Sequence, residues 1–211
     1  TMTQHNPHNQ QIPTPVPAIR ATPGGEWTLA SYQTAALATA LSTAHSQEYL
    51  LPGLLSELGE LAGVLAKEYR DSTPINYEDR LSEMGDVAWV TAIWLHDLGV
   101  TTTSTDNLGV RTETLQRNPL SNPIEVVGLM LSITESLVSS YARLRSNPSH
   151  ATAGELIAKN VLLTLWRLLE FYAPVLAPNM EDPFKAALDT NIAKLTSRQV
   201  RGKIGGSGDH R

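Results

Sequence analysis

At 211 residues, 41% of them hydrophobic and 18% charged, the chain is long enough to bury a sizeable core in one domain, or in one domain built from two similar halves. A formal net charge of -5 and a pI near 5.6 give no general attraction to nucleic acid or acidic membranes. The absence of cysteine excludes disulfides, thiolate metal sites and cysteine nucleophiles.

In chain order, residues 1–25 come first and carry Pro7, Pro13, Pro15, Pro17 and Pro23 before ending in Gly24-Gly25, a composition that cannot make regular helix or a central strand. They read as an N-terminal arm. From Trp27 onward apolar residues recur at helical spacing, and the pattern predicts helices over about 27–43, 47–70, 77–98, 105–117, 123–146, 152–173 and 183–199. No segment reads as a strand, and loops such as 71–76, 117–123 and 146–151 are short enough to join antiparallel neighbours. The expectation is one all-α helical bundle over 26–199, followed by a basic, glycine-rich tail over 200–211. No apolar run approaches the roughly 18 residues of a membrane span, and the N-terminal arm lacks the apolar core of a signal peptide, so a cytoplasmic location is expected.

Two of the predicted helices carry related acidic steps, SELGEL at 56–61 and SEMGDV at 82–87. Glu-x-x-Glu by itself is ordinary on a solvated helix face. Here the face differs: on a helical wheel Glu57 falls at the margin of the stripe Leu51, Leu54, Leu58, Leu61 and Leu65, and Glu83 and Asp86 share a side with Val90, Ile93 and Trp94. Two antiparallel helices would bring the steps face to face. Four crowded, half-buried carboxylates repel and lose hydration unless cations or protons neutralise them. All-oxygen donors without His or Cys suit Mg²⁺ or Mn²⁺, and Gly59 and Gly85 between the acids allow close approach of a helix or hydrated ion. A di-iron carboxylate bundle is excluded because no Glu has a His three residues later.

The pattern Glu57-x-x-Glu60, 22 residues, then Glu83-x-x-Asp86 resembles the signature of the MazG-like all-α nucleoside triphosphate pyrophosphohydrolases. Tyr32-Gln33 resembles that family's first-helix Tyr-Gln, Lys67 and Arg70 its basic residues after the first acidic step, and Asp97-Leu98-Gly99 the end of its second acidic helix. The run Asn191-Ile-Ala-Lys194-Leu195, then Arg198 and the tail, resembles the closing motif of phage and bacterial members. The resemblance covers roughly 27–99 and 184–211; the intervening stretch departs from the shortest members, where the closing motif follows the second acidic helix almost directly.

The resemblance implies metal-dependent cleavage of a nucleoside triphosphate between its α and β phosphates, giving a monophosphate and pyrophosphate. Glu57, Glu60, Glu83 and Asp86 would hold the metal and serve the chemistry; Lys67, Arg70, Lys194, Arg198, Arg201, Lys203 and Arg211 would meet phosphates, and Gln33 and Asn191 a base or sugar edge. It also implies a homodimer or homotetramer and a deoxynucleotide substrate, with dGTP in a phage nucleotide pool as the first choice and dUTP or dCTP as alternatives. The competing class is a catalytically silent helical module that binds partners or nucleotides; it accounts for the helices but not for acids on an apolar face. Trp27, Trp89 and Trp94 could stack on a base, although aromatics at helical spacing are more often core.

The intervening stretch has a reading of its own. A shift of 75 residues lays Gly53-Leu54, Glu60 and Arg70 on Gly128-Leu129, Glu135 and Arg145, and a shift of 74 lays Val87 on Val161. Glu57, Glu83 and Asp86 then fall on Ser132, Ile157 and Asn160, so a degenerate second helix pair with no metal site is expected.

Overall fold

A computed structural model describes residues 26–72, 74–103, 119–146 and 151–201, and among these it contains six α-helices and no strand. They are α1 (Leu29–Leu37), α2 (Gln47–Asp71), α3 (Tyr77–Asp97), α4 (Pro123–Ser146), α5 (Ala151–Leu176) and α6 (Pro183–Val200), with a 3₁₀ turn at Ser42–His45 before α2. The all-α expectation holds. The first predicted helix is shorter than the pattern suggested, giving way to the 3₁₀ turn; the arm 1–25, the predicted helix 105–117 and tail residues 202–211 lie outside the described residues.

Local chemistry sets the boundaries around the acidic pair of helices. Ser46 caps α2 by accepting from the Tyr49 N–H, and Asn76 caps α3 by accepting from the Glu78 and Asp79 N–H groups. At the end of α3, Gly99 adopts φ +74°, the Val100 N–H returns to the Leu95 carbonyl (2.9 Å) and the Gly99 N–H to that of His96 (2.8 Å). This is a Schellman stop, with Val100 buried beneath it.

Helices α2, α3, α5 and α4 form a four-helix bundle in that cyclic order, each hairpin packed side by side with the other. Helix α6 lies on α3 and α5, and α1 on α3 and α6, so α3 is enclosed on nearly every side. Its unbroken buried run from Val87 to Leu95 reflects that position. The contact of α3 with α6 is close because of Gly85: a Cβ there would stand 2.6 Å from the Ala187 carbonyl oxygen and 2.8 Å from Asn191 Cβ. At the turn between α2 and α3, the buried Arg80 guanidinium meets Glu68 (Nη2–Oε2 2.5 Å), donates to the Leu176 carbonyl (2.8 Å) and lies over the Tyr77 ring. This ties the hairpin to the end of α5.

The second hairpin repeats the packing of the first in a different register from the expected one. Buried Leu50, Leu51, Leu54, Leu58 and Leu61 of α2 match buried Val126, Val127, Met130, Thr134 and Leu137 of α4, each 76 residues later. Burial therefore places Ile133 and Ser136 at the positions of Glu57 and Glu60, while Glu135 takes the place of Gly59 and is exposed. The expected shift of 74 suits α5, where Val87, Ala88, Trp94 and Leu95 match buried Val161, Leu162, Leu168 and Leu169. Helix α2 and the stretch Pro123–Ala142 of α4 are long and apolar enough, by length and composition, to cross a membrane, a measure that the sequence reading had not found met. In both, a third of the apolar window is buried against the rest of the fold, and a core helix of a bundle passes the same test.

Candidate metal centre

Antiparallel pairing of α2 and α3 places the two acidic steps against each other. Oxygen atoms of Glu57, Glu60 and Glu83 all lie within 4.8 Å of one another. Glu60 is exposed and the other two are half-buried. Among the described residues, the buried Glu83 Oε2 has no hydrogen-bond partner. An unpartnered carboxylate oxygen beside two further carboxylates is a costly arrangement without a cation or proton.

The electrostatics carry that cost. Burial, then the charges of Asp86, Glu60 and Glu83, push Glu57 up from 4.5 to about 8. Burial, then Asp86 and Glu60, push Glu83 up to about 7, and Lys194 partly offsets both. Asp86 is raised by burial and drawn back by Lys194, Arg198 and Asn191.

Asp86 stands beside the three glutamates with both its oxygens engaged. Asn191 Nδ2 donates to Oδ1 (2.6 Å), and Lys194 Nζ meets Oδ2 (2.5 Å) while also donating to Ser82 Oγ (3.2 Å). The chain of bonds continues inward, because the buried Tyr32 hydroxyl donates to Asn191 Oδ1 (2.9 Å). Every link joins α6 to a distant part of the sequence. Gly85 is the condition for it, since the same glycine that admits Ala187 admits Asn191.

The other predicted site residues divide by location. Arg198 is near enough to lower Asp86 electrostatically. Lys67 is exposed on the stripe of Glu57 and Glu60, two turns beyond Glu60. Arg70 is not brought to the acids: it ends α2, 72% exposed, and pairs with Asp71 (2.6 Å), about 15 Å along the helix from Glu60. Arg201, at the end of α6, is exposed and donates to the Ser197 carbonyl (3.2 Å). Lys203 and Arg211 lie outside the described residues.

Gln33 and Asn191 are corrected from ligand readers to internal ties. Gln33 is buried and its Nε2 donates to the carbonyls of Val100 (2.8 Å) and Ala92 (3.2 Å), joining α1 to α3 and its stop. Asn191 is fully buried and spends its amide on Tyr32 and Asp86. Trp89 and Trp94 are core, and Trp27 packs edge-on against Tyr32 and donates to Asp189 (2.8 Å).

One residue beside the acids was missed. Tyr49 shares the α2 stripe Tyr49, Gly53, Glu57 and Glu60, and its phenol is raised by burial, then by Glu57 and Asp86. A helical wheel carried two turns back from Glu57 would have found it. A separate cleft of about 650 Å³ opens at the other contact of the hairpins, lined by Gln47, Trp94, Asp97, Tyr141 and Glu155 among others, and it holds none of the four acids.

Compared with protein-family models, curated proteins and solved structures, the chain matches none.

Proposed function

We propose that this chain is a metal-dependent nucleoside triphosphate pyrophosphohydrolase that cleaves the α–β phosphoanhydride to a nucleoside monophosphate and pyrophosphate. The observation that carries the reading is the convergence of Glu57, Glu60 and Glu83, an all-oxygen donor set with one orphaned buried oxygen. Oxygens around one Mg²⁺ stand roughly 3 to 4 Å apart, so the cluster needs only small side-chain rotations to fit. Glu57, Glu60 and Glu83 would hold Mg²⁺ or Mn²⁺, which would supply Lewis acidity and a water of lowered pKa.

The chain's own residues do the rest. Glu57, Glu60 and Glu83 present the open oxygens, and Asp86, fixed by Asn191, marks the inner edge of the site. Lys194 and Arg198 stand on α6 beside that edge and would meet phosphate oxygens and the charge that grows on the leaving pyrophosphate. In the reaction the water oxygen bonds to the α-phosphorus, the bond from that phosphorus to the bridging oxygen breaks with its electron pair, and a carboxylate of the cluster accepts the water's proton. The substrate class is a (deoxy)nucleoside triphosphate, with dGTP the first to try and dUTP and dCTP the alternatives.

The test is a panel of nucleoside and deoxynucleoside triphosphates with Mg²⁺ or Mn²⁺, resolved by anion exchange. Pyrophosphate and monophosphate in equal amounts are expected. Orthophosphate as sole product, or full activity in EDTA, overturns the proposal.

A further inference from the structure

Tyr49 stands on α2 two turns before Glu57 and on the same face, with Gly53 between them. Its side chain lies along the helix over the bare glycine: a Cβ on Gly53 would stand 3.5 Å from Tyr49 Cζ and 3.6 Å from Cε1. The ring's phenolic end therefore points along α2 toward Glu57. A substantial part of the ring remains open to solvent, 39% of the residue's surface. The ring thus lies against glycine on one side while the residue stays exposed beside the carboxylate cluster.

We propose that Tyr49 is the base platform of the site: a substrate-contacting residue on whose open face the nucleobase of a triphosphate stacks while the phosphates lie over Glu57, Glu60 and Glu83. The inference rests on the pyrophosphohydrolase reading and adds the part of the substrate recognised at the far end. The spacing suits it, because four residues of helix separate Gly53 from Glu57, about 6 Å at the helical rise. That is the reach of a sugar with its 5′ carbon. Stacking uses the π-face shared by every base, so this contact separates nucleotides from base-free phosphates more sharply than one base from another. The raised phenol of Tyr49, an effect of burial and then of Glu57 and Asp86, agrees with its place at the edge of the cluster.

The test compares two probes by calorimetry in Mg²⁺: an α,β-methylene deoxynucleoside triphosphate, which cannot be cleaved at that bond, and inorganic tripolyphosphate, which has no base. In Tyr49→Ala the nucleotide analogue is expected to bind about tenfold more weakly, the size of one lost base stack, with tripolyphosphate binding unchanged. Tyr49→Phe keeps the ring and should keep the affinity. Equal losses for both probes in Tyr49→Ala, or no loss for either, overturn the platform while leaving the hydrolase reading intact. Wild-type protein that binds neither probe overturns both.

Discussion

Replacing Glu57 by Gln should stabilise the metal-free protein at alkaline pH, and the size of the effect follows from the crowding of the acids. Burial and the neighbouring charges push Glu57 up from 4.5 to about 8. Between those values the folded chain keeps a proton that the unfolded chain has lost, so stability falls as pH rises through this window. Carried to completion above about pH 8, the cost at full weight is about 5 kcal/mol. Solvent reaches this half-buried group, and about half of that, ~2 kcal/mol, is the expected remainder. Gln cannot ionise and escapes the cost. In EDTA at pH 8.5 to 9, Glu57→Gln should therefore melt about 4 to 8 °C above wild type, and at pH 4.5 the two should coincide. Saturating Mg²⁺ or Mn²⁺ should reverse the order, because binding to the folded state stabilises the full carboxylate set by about 3 kcal/mol at a hundredfold excess over Kd and the variant by less. Differential scanning fluorimetry across pH, with and without metal, reads all of this. A variant no more stable than wild type at pH 9, or a difference that persists unchanged at pH 4.5, would refute the crowding argument.

The two glycines between the acids should respond in opposite directions. Gly85→Ala, whose Cβ collides with Ala187 and Asn191, should lose about 2 kcal/mol or more in urea unfolding, whereas Gly59→Ala, with nothing within 4 Å, should gain about 0.5 to 1 kcal/mol. Arg80→Met should cost about 3 to 5 kcal/mol by stranding Glu68, and adding Glu68→Leu should recover much of it in the same assay. Lys194→Met, which removes the cation on Asp86, should tighten Mn²⁺ binding about fivefold by electron paramagnetic resonance; unchanged or weaker binding would show that Lys194 is no competitor. Glu135→Gln, on an exposed face of α4, should leave turnover unchanged and stability within about 0.5 kcal/mol in paired rate and melting measurements.

What sequence could and could not supply follows the range of each interaction. Helical periodicity and the ending at Asp97-Leu98-Gly99 are local, and the helices over 47–71, 77–97, 123–146 and 183–200 fall within a residue of where the pattern put them. The facing of the two acidic steps was also legible, since a short loop between amphipathic helices leaves few other arrangements. Gln33 and Asn191 were misread because an amide's partner is a matter of tertiary position: Ala92, Val100, Tyr32 and Asp86 are all distant in sequence. The register of the second hairpin was set from identities such as Glu60 with Glu135, and one surface identity outweighed the buried stripe that the structure follows. Tyr49 was passed over because the wheel was drawn for leucines.

The unequal treatment of the two hairpins has a physical reason. Where α2 and α3 carry Glu57, Glu60, Glu83 and Asp86, burial and packing register place Ile133, Ser136, Ile157 and Asn160 on α4 and α5. Half-buried carboxylates need cations, amide donors or protons nearby, and here the donors come from a third element: Asn191 and Lys194 reach Asp86 from α6, with Arg198 close behind. Helix α6 comes that close only over Gly85, and the corresponding position on α5 is Lys159, whose side chain pairs with Glu155. A glycine allows a helix to bring its polar side chains down onto a pair of acids; a lysine in its place fills the same space with its own stem. Among the described residues, the close approach that brings Asn191 and Lys194 to Asp86 is thus tied to Gly85, and α5 carries a side chain where α3 carries none. The acids and the glycine seat therefore go together on the first hairpin, where Gly85 stands one residue before Asp86 and admits the helix that carries Asn191 and Lys194.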